Sequence, residues 1–305
     1  MTPTVLCHVN HYFGRSSGFV GGSTRGEEDR RRETVRRCVT ALHELPEADV
    51  DLRICGVGDS SLLPLDTRYD HLDDPTQLVY ESLYDMASRM DDYDYFINIE
   101  DDVLVPPETW LNVLGFEGGS LVNEILHPNR MEVDDTGFRY CVDLYGNPAW
   151  THQHKTFQGR TIRVAVTPHS GILIMSRAKL RYALSQIDRS FRGIVFAKGM
   201  ESALAHFHAP FSLYRSHDDL EFHHVDHLDR WKHSPRVVYR ANPYRSFHET
   251  SLSWRDLVPP AVGKAYRWVK RLNGRSRSAQ EDSRTGLDAA SPAGATKRPD
   301  RPTRR

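Results

Sequence analysis

The sequence predicts an α/β fold built on an open, mostly parallel sheet flanked by helices. Over the first hundred residues, apolar runs of strand length alternate with segments whose apolar residues recur at helical spacing. The run at residues 95–99 is almost entirely apolar and is bounded by acids. That pattern is expected of a strand buried on both faces of a parallel sheet.

Five strands are predicted from short apolar runs that lie between turn-forming residues. They cover residues 5–9, 50–57, 69–72, 95–99 and 163–176, the last interrupted at 168–171. Two other segments lack such runs. We expect a Gly-rich loop at residues 14–26 and an irregular, aromatic-rich segment at residues 115–161.

Four helices are predicted from apolar residues that lie three and four positions apart. The first covers residues 27–45, with an apolar face made of Val35, Cys38, Val39 and Leu42. The second begins at Asp74, where Pro75 suits the first turn. The remaining two cover residues 178–187 and 199–207.

Composition narrows the class of protein and its location. Apolar residues make up 39% of the 305-residue chain and charged residues 27%, as in ordinary globular proteins. A net charge of −1 provides no field toward nucleic acid, so we expect no nucleic-acid partner. No apolar stretch is long enough to cross a bilayer, and the first ten residues do not resemble a signal peptide. Four scattered cysteines without C-x-x-C spacing are expected to stay reduced in a cytoplasmic protein.

Three acids, Glu100, Asp101 and Asp102, directly follow the predicted strand at residues 95–99. Two carboxylates about 4 Å apart repel by roughly 1 kcal/mol in water and about 4 kcal/mol at an effective dielectric constant near 20. Such a cluster therefore favours a cation, and Mg²⁺ and Mn²⁺ prefer oxygen ligands. A metal there would hold a diphosphate and neutralise its charge as it leaves. The alternative is a solvated acidic turn.

This part of the chain, residues 74–110, resembles the GT-A glycosyltransferases, near their family-2-like group. In that Rossmann-like fold, a helix leads into a hydrophobic strand that ends in a D-x-D-type motif, here Glu100-Asp101-Asp102. The resemblance extends loosely over residues 4–230. It implies a GT-A-type single catalytic domain, a nucleotide-sugar donor, and Mn²⁺ or Mg²⁺ bound by Asp102, with Glu100 and Asp101 in the nucleotide-sugar site.

The same resemblance assigns roles to residues elsewhere in the chain. It implies nucleotide-sugar contacts at the ends of the first two strands and in the first loop, from Asn10, Asp59 and Arg15. Glu201 matches the acid that faces the acceptor and acts as general base in inverting members. A sugar hydroxyl is a poor nucleophile and needs such a carboxylate within reach. The alternative is that Glu201 only starts a helix, where the helix dipole favours it.

A His-rich run follows, containing His217, His223, His224, His227 and His233. Histidine is the commonest metal ligand among side chains that are neutral at pH 7, and the resemblance implies that one of these residues returns to the metal. His224 and His227 would share a helical face. Among these histidines we favour His224 narrowly over His227 and His223 as the metal ligand. A polar loop or exposed helix face is the alternative.

Five arginines, Arg30, Arg31, Arg32, Arg36 and Arg37, lie within the first predicted helix. We interpret them as the solvated face of that helix, with attraction of phosphates as the alternative. A second basic segment lies within residues 259–272, where residues 261–272 are expected to form a short amphipathic helix. That helix would contact an anionic membrane or dock on the catalytic domain.

The predicted organisation is a catalytic domain at residues 1–258, the basic helix, and a disordered tail at residues 273–305. Within the domain, residues 1–112 would bind the nucleotide sugar and residues 113–258 a glycan or lipid-linked acceptor. The function expected is metal-dependent glycosyl transfer to a hydroxyl with inversion. Two alternatives stay open: a metal-dependent hydrolase or phosphotransferase, and a non-catalytic nucleotide- or glycan-binding homologue.

Overall fold

A computed structural model describes residues 2–13, 25–133, 137–142, 150–195, 199–228 and 249–250. These residues belong to one unit, Met1–Gly263. Several predictions lie outside the described residues: most of the loop at 14–26 with Arg15, His233, the basic helix at 261–272, and the tail at 273–305.

Five α-helices and fourteen strands are found in the described part of the chain. The helices are α1 (Arg25–His43), α2 (Leu78–Ser88), α3 (Pro107–Glu117), α4 (Arg177–Gln186) and α5 (Gly199–His208), with a 3₁₀ turn, Pro75–Gln77, leading into α2. The strands are β1 (Thr4–Asn10), β2 (Asp49–Gly56), β3 (Thr67–Arg68), β4 (Tyr95–Glu100), β5 (Val103–Leu104), β6 (Glu124–Leu126), β7 (Asn129–Val133), β8 (Arg139–Cys141), β9 (Trp150–Phe157), β10 (Arg160–Ala165), β11 (Ile172–Ser176), β12 (Ser212–Ser216), β13 (His224–His227) and β14 (Glu249–Thr250).

The first sheet has the order β11-β4-β1-β2-β3. β1 pairs in parallel with both β2 and β4, while β11 runs antiparallel to β4. Apolar clusters cover both faces of this sheet. Leu6 and Phe96 pack in one cluster, and their chain neighbours Val5 and Ile97 pack in another on the opposite face. The prediction of a mixed α/β fold with a mostly parallel, doubly covered sheet is confirmed.

Two further sheets correct the prediction of an irregular segment at residues 115–161. Their orders are β14-β9-β10-β12-β6 and β5-β13-β7-β8, so β6, β7, β8 and β9 all fall within that segment. Hydrophobic alternation missed β7 because its buried residues include Asn129, Arg130 and Glu132. Polar residues that are buried beside partners give no apolar signal.

Two strand boundaries also differ from the prediction. The third strand is β3, not residues 69–72; the N–H of Tyr69 still donates to the carbonyl of Gly56 in β2, and its buried side chain packs against Cys55 and Leu78. The apolar stretch at 163–176 is divided between β10 and β11, which belong to different sheets. Its predicted interruption at 168–171 is the crossing between them.

The third sheet brings distant residues to the acidic motif. β5 directly follows Asp102, and β13 lies between β5 and β7, antiparallel to one and parallel to the other. His224 and His227 therefore lie on a strand, and the shared helical face predicted for them is wrong. Among the described residues, no helix is long and apolar enough to span a membrane.

Candidate functional site

The candidate site lies at the carboxyl end of β4, where the parallel strands of the first sheet terminate. Glu100 is the last residue of β4, beside Asn10 of β1 in the strand register. Asp101 and Asp102 form the turn into β5, and their side chains are only 6% and 14% exposed. A solvated acidic turn is therefore ruled out for these two carboxylates.

Asp101 is held by two basic side chains. It accepts hydrogen bonds from the His11 imidazole and from the Arg31 guanidinium. The backbone N–H of Leu62 donates to His11 Nε2 over 2.8 Å. Because Nε2 is thus an acceptor, the proton of a neutral His11 lies on Nδ1 and points at Asp101. His11 therefore fixes Asp101 and joins the turn after β2 to the site.

One carboxylate oxygen of Asp102 contacts basic side chains, and the other has no hydrogen-bond partner. Arg31 donates to Oδ2 over 3.0 Å, and His227 Nε2 lies 3.5 Å from the same atom. Oδ1 is buried and has no hydrogen-bond partner. Burial favours the protonated acid, but the charges of Arg31 and His227 outweigh it and hold the pKa of Asp102 well below its usual range.

His227 lies between two carboxylates. Its Nδ1 donates to Glu132 over 2.7 Å, and Tyr140 donates to the other oxygen of Glu132 over 2.6 Å. Burial alone would lower the pKa of His227, yet Asp102 and Glu132 raise it to about 10. The imidazole is therefore a cation at neutral pH, and it links Asp102 to Glu132 across the third sheet.

Glu100 approaches the backbone of Gly171 closely. Gly171 has φ +70°, and a Cβ placed there would lie 2.8 Å from Glu100 Oε2, so only glycine suits the position. Burial and then Asp102 raise the pKa of Glu100 to about 7, against the opposing charges of Arg130 and His227.

Glu201 is brought to the same edge. It lies in the first turn of α5, and its charge also raises the pKa of Glu100. The Glu201 carboxylate therefore lies within electrostatic range of Glu100.

Three predicted residues lie outside this ion-pair network. Asn10 is buried, and its amide donates to Asn98 Oδ1 over 2.8 Å. Asp59 is fully exposed and pairs with Arg68 at 3.3 Å. His224 Nδ1 lies 2.5 Å from the carbonyl of Glu221. The preference for His224 is thereby corrected, since His227 is the histidine beside Asp102.

Sequence reasoning missed Arg31, although a signal for it exists. Arg31 precedes Val35, Cys38 and Leu42 by four, seven and eleven residues, which places it on the buried face of α1. All three of those residues are fully buried. The prediction of a solvated face for the arginines therefore fails for Arg31, which reaches Asp101 and Asp102. Glu132, the partner of His227, carries no comparable local signal.

Whether these side chains can hold a divalent cation depends on how many ligands they supply. No group of three or more His, Cys, Asp or Glu side chains in the described ranges could by itself hold a metal ion. Mg²⁺, however, usually binds through one or two carboxylates and completes its coordination with water and substrate phosphates. Asp102, with a buried oxygen that lacks a partner, fits that minimal role.

A second group of buried imidazoles lies behind the site, around the fully buried Arg215. His127 and His208 pack with ring centroids 4.6 Å apart, and His127 Nε2 is 3.0 Å from Ser170 Oγ. Burial, and then the charge of Arg215, lower the pKa of His208 to about 3. Burial likewise lowers the pKa of His223 to about 3. These imidazoles are neutral at pH 7.

Comparison with known proteins found likeness to solved structures. No protein-family model matches the chain, and no curated protein matches it. A solved structure from Desulfovibrio desulfuricans G20, named as a nucleotide-diphospho-sugar transferase, shares 18% identity with a TM-score of 0.28. The match covers 45% of this chain and 60% of that one. A likeness this distant assigns neither a family nor a substrate to the chain.

Proposed function

We propose that this protein is a glycosyltransferase that moves a sugar from a nucleotide-diphosphate sugar to a hydroxyl of a glycan or lipid-linked acceptor, with inversion. The observation that carries the proposal is the position of Glu100, Asp101 and Asp102. They are clustered at the carboxyl end of β4, inside a mostly parallel sheet. Ligands of open α/β sheets bind at that edge.

On the donor side, Asp102 would bind Mn²⁺ or Mg²⁺ together with the diphosphate of the donor. When bound, the cation would neutralise the charge of the departing nucleoside diphosphate. The chain's own part is to hold Asp102 in place before the cation binds, through the contacts of His227 and Arg31 with Oδ2. Contacts from Asn10, Arg15 and Asp59 to the nucleotide sugar stay predictions.

On the acceptor side, Glu201 would accept the proton of the attacking hydroxyl. A general base must lie within hydrogen-bond reach of that proton. The support for this role consists of the position of Glu201 in the first turn of α5 and the influence of its charge on Glu100. The protein would act in the cytoplasm. A helix at residues 261–272 would hold it at a membrane surface, where it would meet a lipid-linked acceptor.

The proposal is tested by calorimetric titration of UDP, GDP, dTDP and ADP, each with Mn²⁺ and with EDTA. We expect one nucleotide to bind with roughly micromolar affinity. Binding should require Mn²⁺ and should be lost in Asp102→Ala. Glu201→Gln should still bind that nucleotide and should lose transfer of the sugar, because only the base is removed.

The matched control is Asp92→Ala, an exposed acid that precedes the opposite end of β4. It should bind nucleotide as the wild type does. Absence of binding by all four nucleotides, in a protein that still binds Mn²⁺, would contradict the transferase. It would favour the metal-dependent hydrolase or phosphotransferase instead.

A further inference from the structure

Arg31 occupies the position between the two site carboxylates. Its guanidinium donates to Asp101 through one terminal nitrogen and to Asp102 through the other. The side chain is 13% exposed, and it extends from the buried face of α1. A planar guanidinium suits such a bridge because its nitrogens form a rigid fork. Arg31 thus screens the repulsion between Asp101 and Asp102 without any metal.

The same contacts put the Arg31 guanidinium next to any cation that binds Asp102. Asp102 Oδ1 is inaccessible to solvent, so the exposed portion of this side chain lies elsewhere. The other oxygen, Oδ2, is the one bonded to Arg31. Mg²⁺ lies only about 2.0–2.1 Å from a carboxylate oxygen that binds it, so a metal on Asp102 would lie within a few ångströms of the Arg31 guanidinium.

Charge also opposes simultaneous occupancy. Asp101 and Asp102 already face the charged side chains of Arg31 and His227. A divalent cation added to this set would lie a few ångströms from a guanidinium in a largely buried site, where the repulsion of like charges is weakly screened. The arrangement therefore favours exchange of one cation for another.

We propose that Arg31 is an exchangeable counter-ion: it holds Asp101 and Asp102 in the metal-free protein, and it moves to the donor diphosphate when a divalent cation takes its place on Asp102. This inference rests on the proposed function for the identity of the metal and the donor. Guanidinium groups bind phosphate as readily as carboxylate, so the arriving diphosphate supplies Arg31 with its new partner.

The test measures Mn²⁺ binding in the absence of nucleotide, by loss of the electron paramagnetic resonance signal of free Mn²⁺. Arg31→Gln removes the competing charge, so its Mn²⁺ affinity should rise at least about tenfold over wild type. Arg31→Lys keeps the charge on a single ammonium and should fall between the two. Arg36→Gln, an exposed arginine on the same helix, should equal wild type.

A second titration uses the nucleoside diphosphate with saturating Mn²⁺. Arg31→Gln should now bind about tenfold more weakly than wild type, because the diphosphate has lost its guanidinium. Opposite changes for metal alone and for nucleotide are not expected of a residue that only supports the fold. If Arg31→Gln does not fold, Arg31→Lys carries the same comparison with smaller changes.

Two results would overturn the inference. Equal Mn²⁺ affinity in wild type, Arg31→Gln and Arg31→Lys would show that Arg31 does not compete, and would leave the proposed metal site intact. Failure of every variant to bind Mn²⁺ would remove the metal itself from Asp102, and the donor-side proposal with it.

Discussion

The two groups of buried histidines have opposite protonation although both are shielded from water. His227 lies between Asp102 and Glu132, and its pKa is raised to about 10. His208 lies near Arg215, and its pKa is lowered to about 3. Burial opposes the charged imidazole in both places. Two carboxylate neighbours make His227 a cation despite its burial, whereas burial, with the charge of Arg215 second, keeps His208 neutral.

This contrast divides the interior into an ionic part, rich in ion pairs, and a neutral part, named for its uncharged imidazoles, which surround Arg215. The ionic part holds Asp101, Asp102 and Glu132 with their basic partners at the end of the first sheet. In the neutral part, imidazoles contact carbonyls and one another: His127 Nε2 lies 3.1 Å from the carbonyl of Pro168. Ionic groups placed at a substrate edge can exchange partners, whereas the neutral group supports packing.

The largest expected effect comes from breaking the ionic part. His227→Gln leaves Asp102 and Glu132 without the cation they share, and losing one member of a buried pair costs about 3–5 kcal/mol of unfolding free energy. Urea denaturation at pH 7 measures it. His208→Gln is the control, with an expected cost of about 1–3 kcal/mol for a neutral buried group. Equal costs for the two variants would break the comparison.

A smaller effect is expected at Tyr140, whose hydroxyl is bonded to Glu132. Tyr140→Phe removes the hydroxyl that donates to Glu132 over 2.6 Å, and a hydrogen bond to a charged group contributes about 1.5–3 kcal/mol. Tyr84→Phe is the matched control, because its hydroxyl reaches the carbonyl of Asp188 only at 3.5 Å. Its cost should stay within about 0.5 kcal/mol. If the two variants are equally stable, Tyr140 does not support Glu132.

The smallest expected effect is the pH dependence of stability that comes from His208. The pKa of His208 is about 3 when folded and about 6.5 when unfolded, so the unfolded chain binds the proton first as pH falls. Stability from neutral His208 is complete above pH 6.5 and is lost progressively toward pH 3.

Between about pH 7.5 and pH 5.5, His208 should therefore account for about 1.4 kcal/mol of the lost stability. Urea denaturation at both values measures the loss in wild type and in His208→Gln. The variant should lose that much less than wild type. Identical losses would mean that His208 is not kept neutral by the fold.

The sheet that carries the site could be predicted because its signal is local. β1 and β4 are nearly continuous apolar runs, and the acids at the end of β4 stand out against them. β7 gave no such signal, because Asn129, Arg130 and Glu132 are buried beside partners from distant parts of the chain. Patterns of apolar residues cannot report a strand whose interior is polar.

The same distinction between local and tertiary signals explains which residues of the site could be predicted. The positions of Glu100, Asp101 and Asp102 follow from the strand that precedes them. The choice between His224 and His227 depends on β13 being a strand between β5 and β7, and on Glu132, which is remote in sequence. Such a choice rests on tertiary pairing, and neither residue differs locally from the other.

The place of β13 inside the third sheet has a consequence for how the chain folds during synthesis. β5 and β7 are not paired with each other and meet only through β13, which is made long after both. Contacts between residues far apart in sequence form slowly, because the intervening chain must be ordered first. A nascent chain that has not reached His227 has Asp102 without one of its two cations. Assembly of the acidic edge should therefore be a late event, completed after residues 224–227 have been made and after the first sheet has formed.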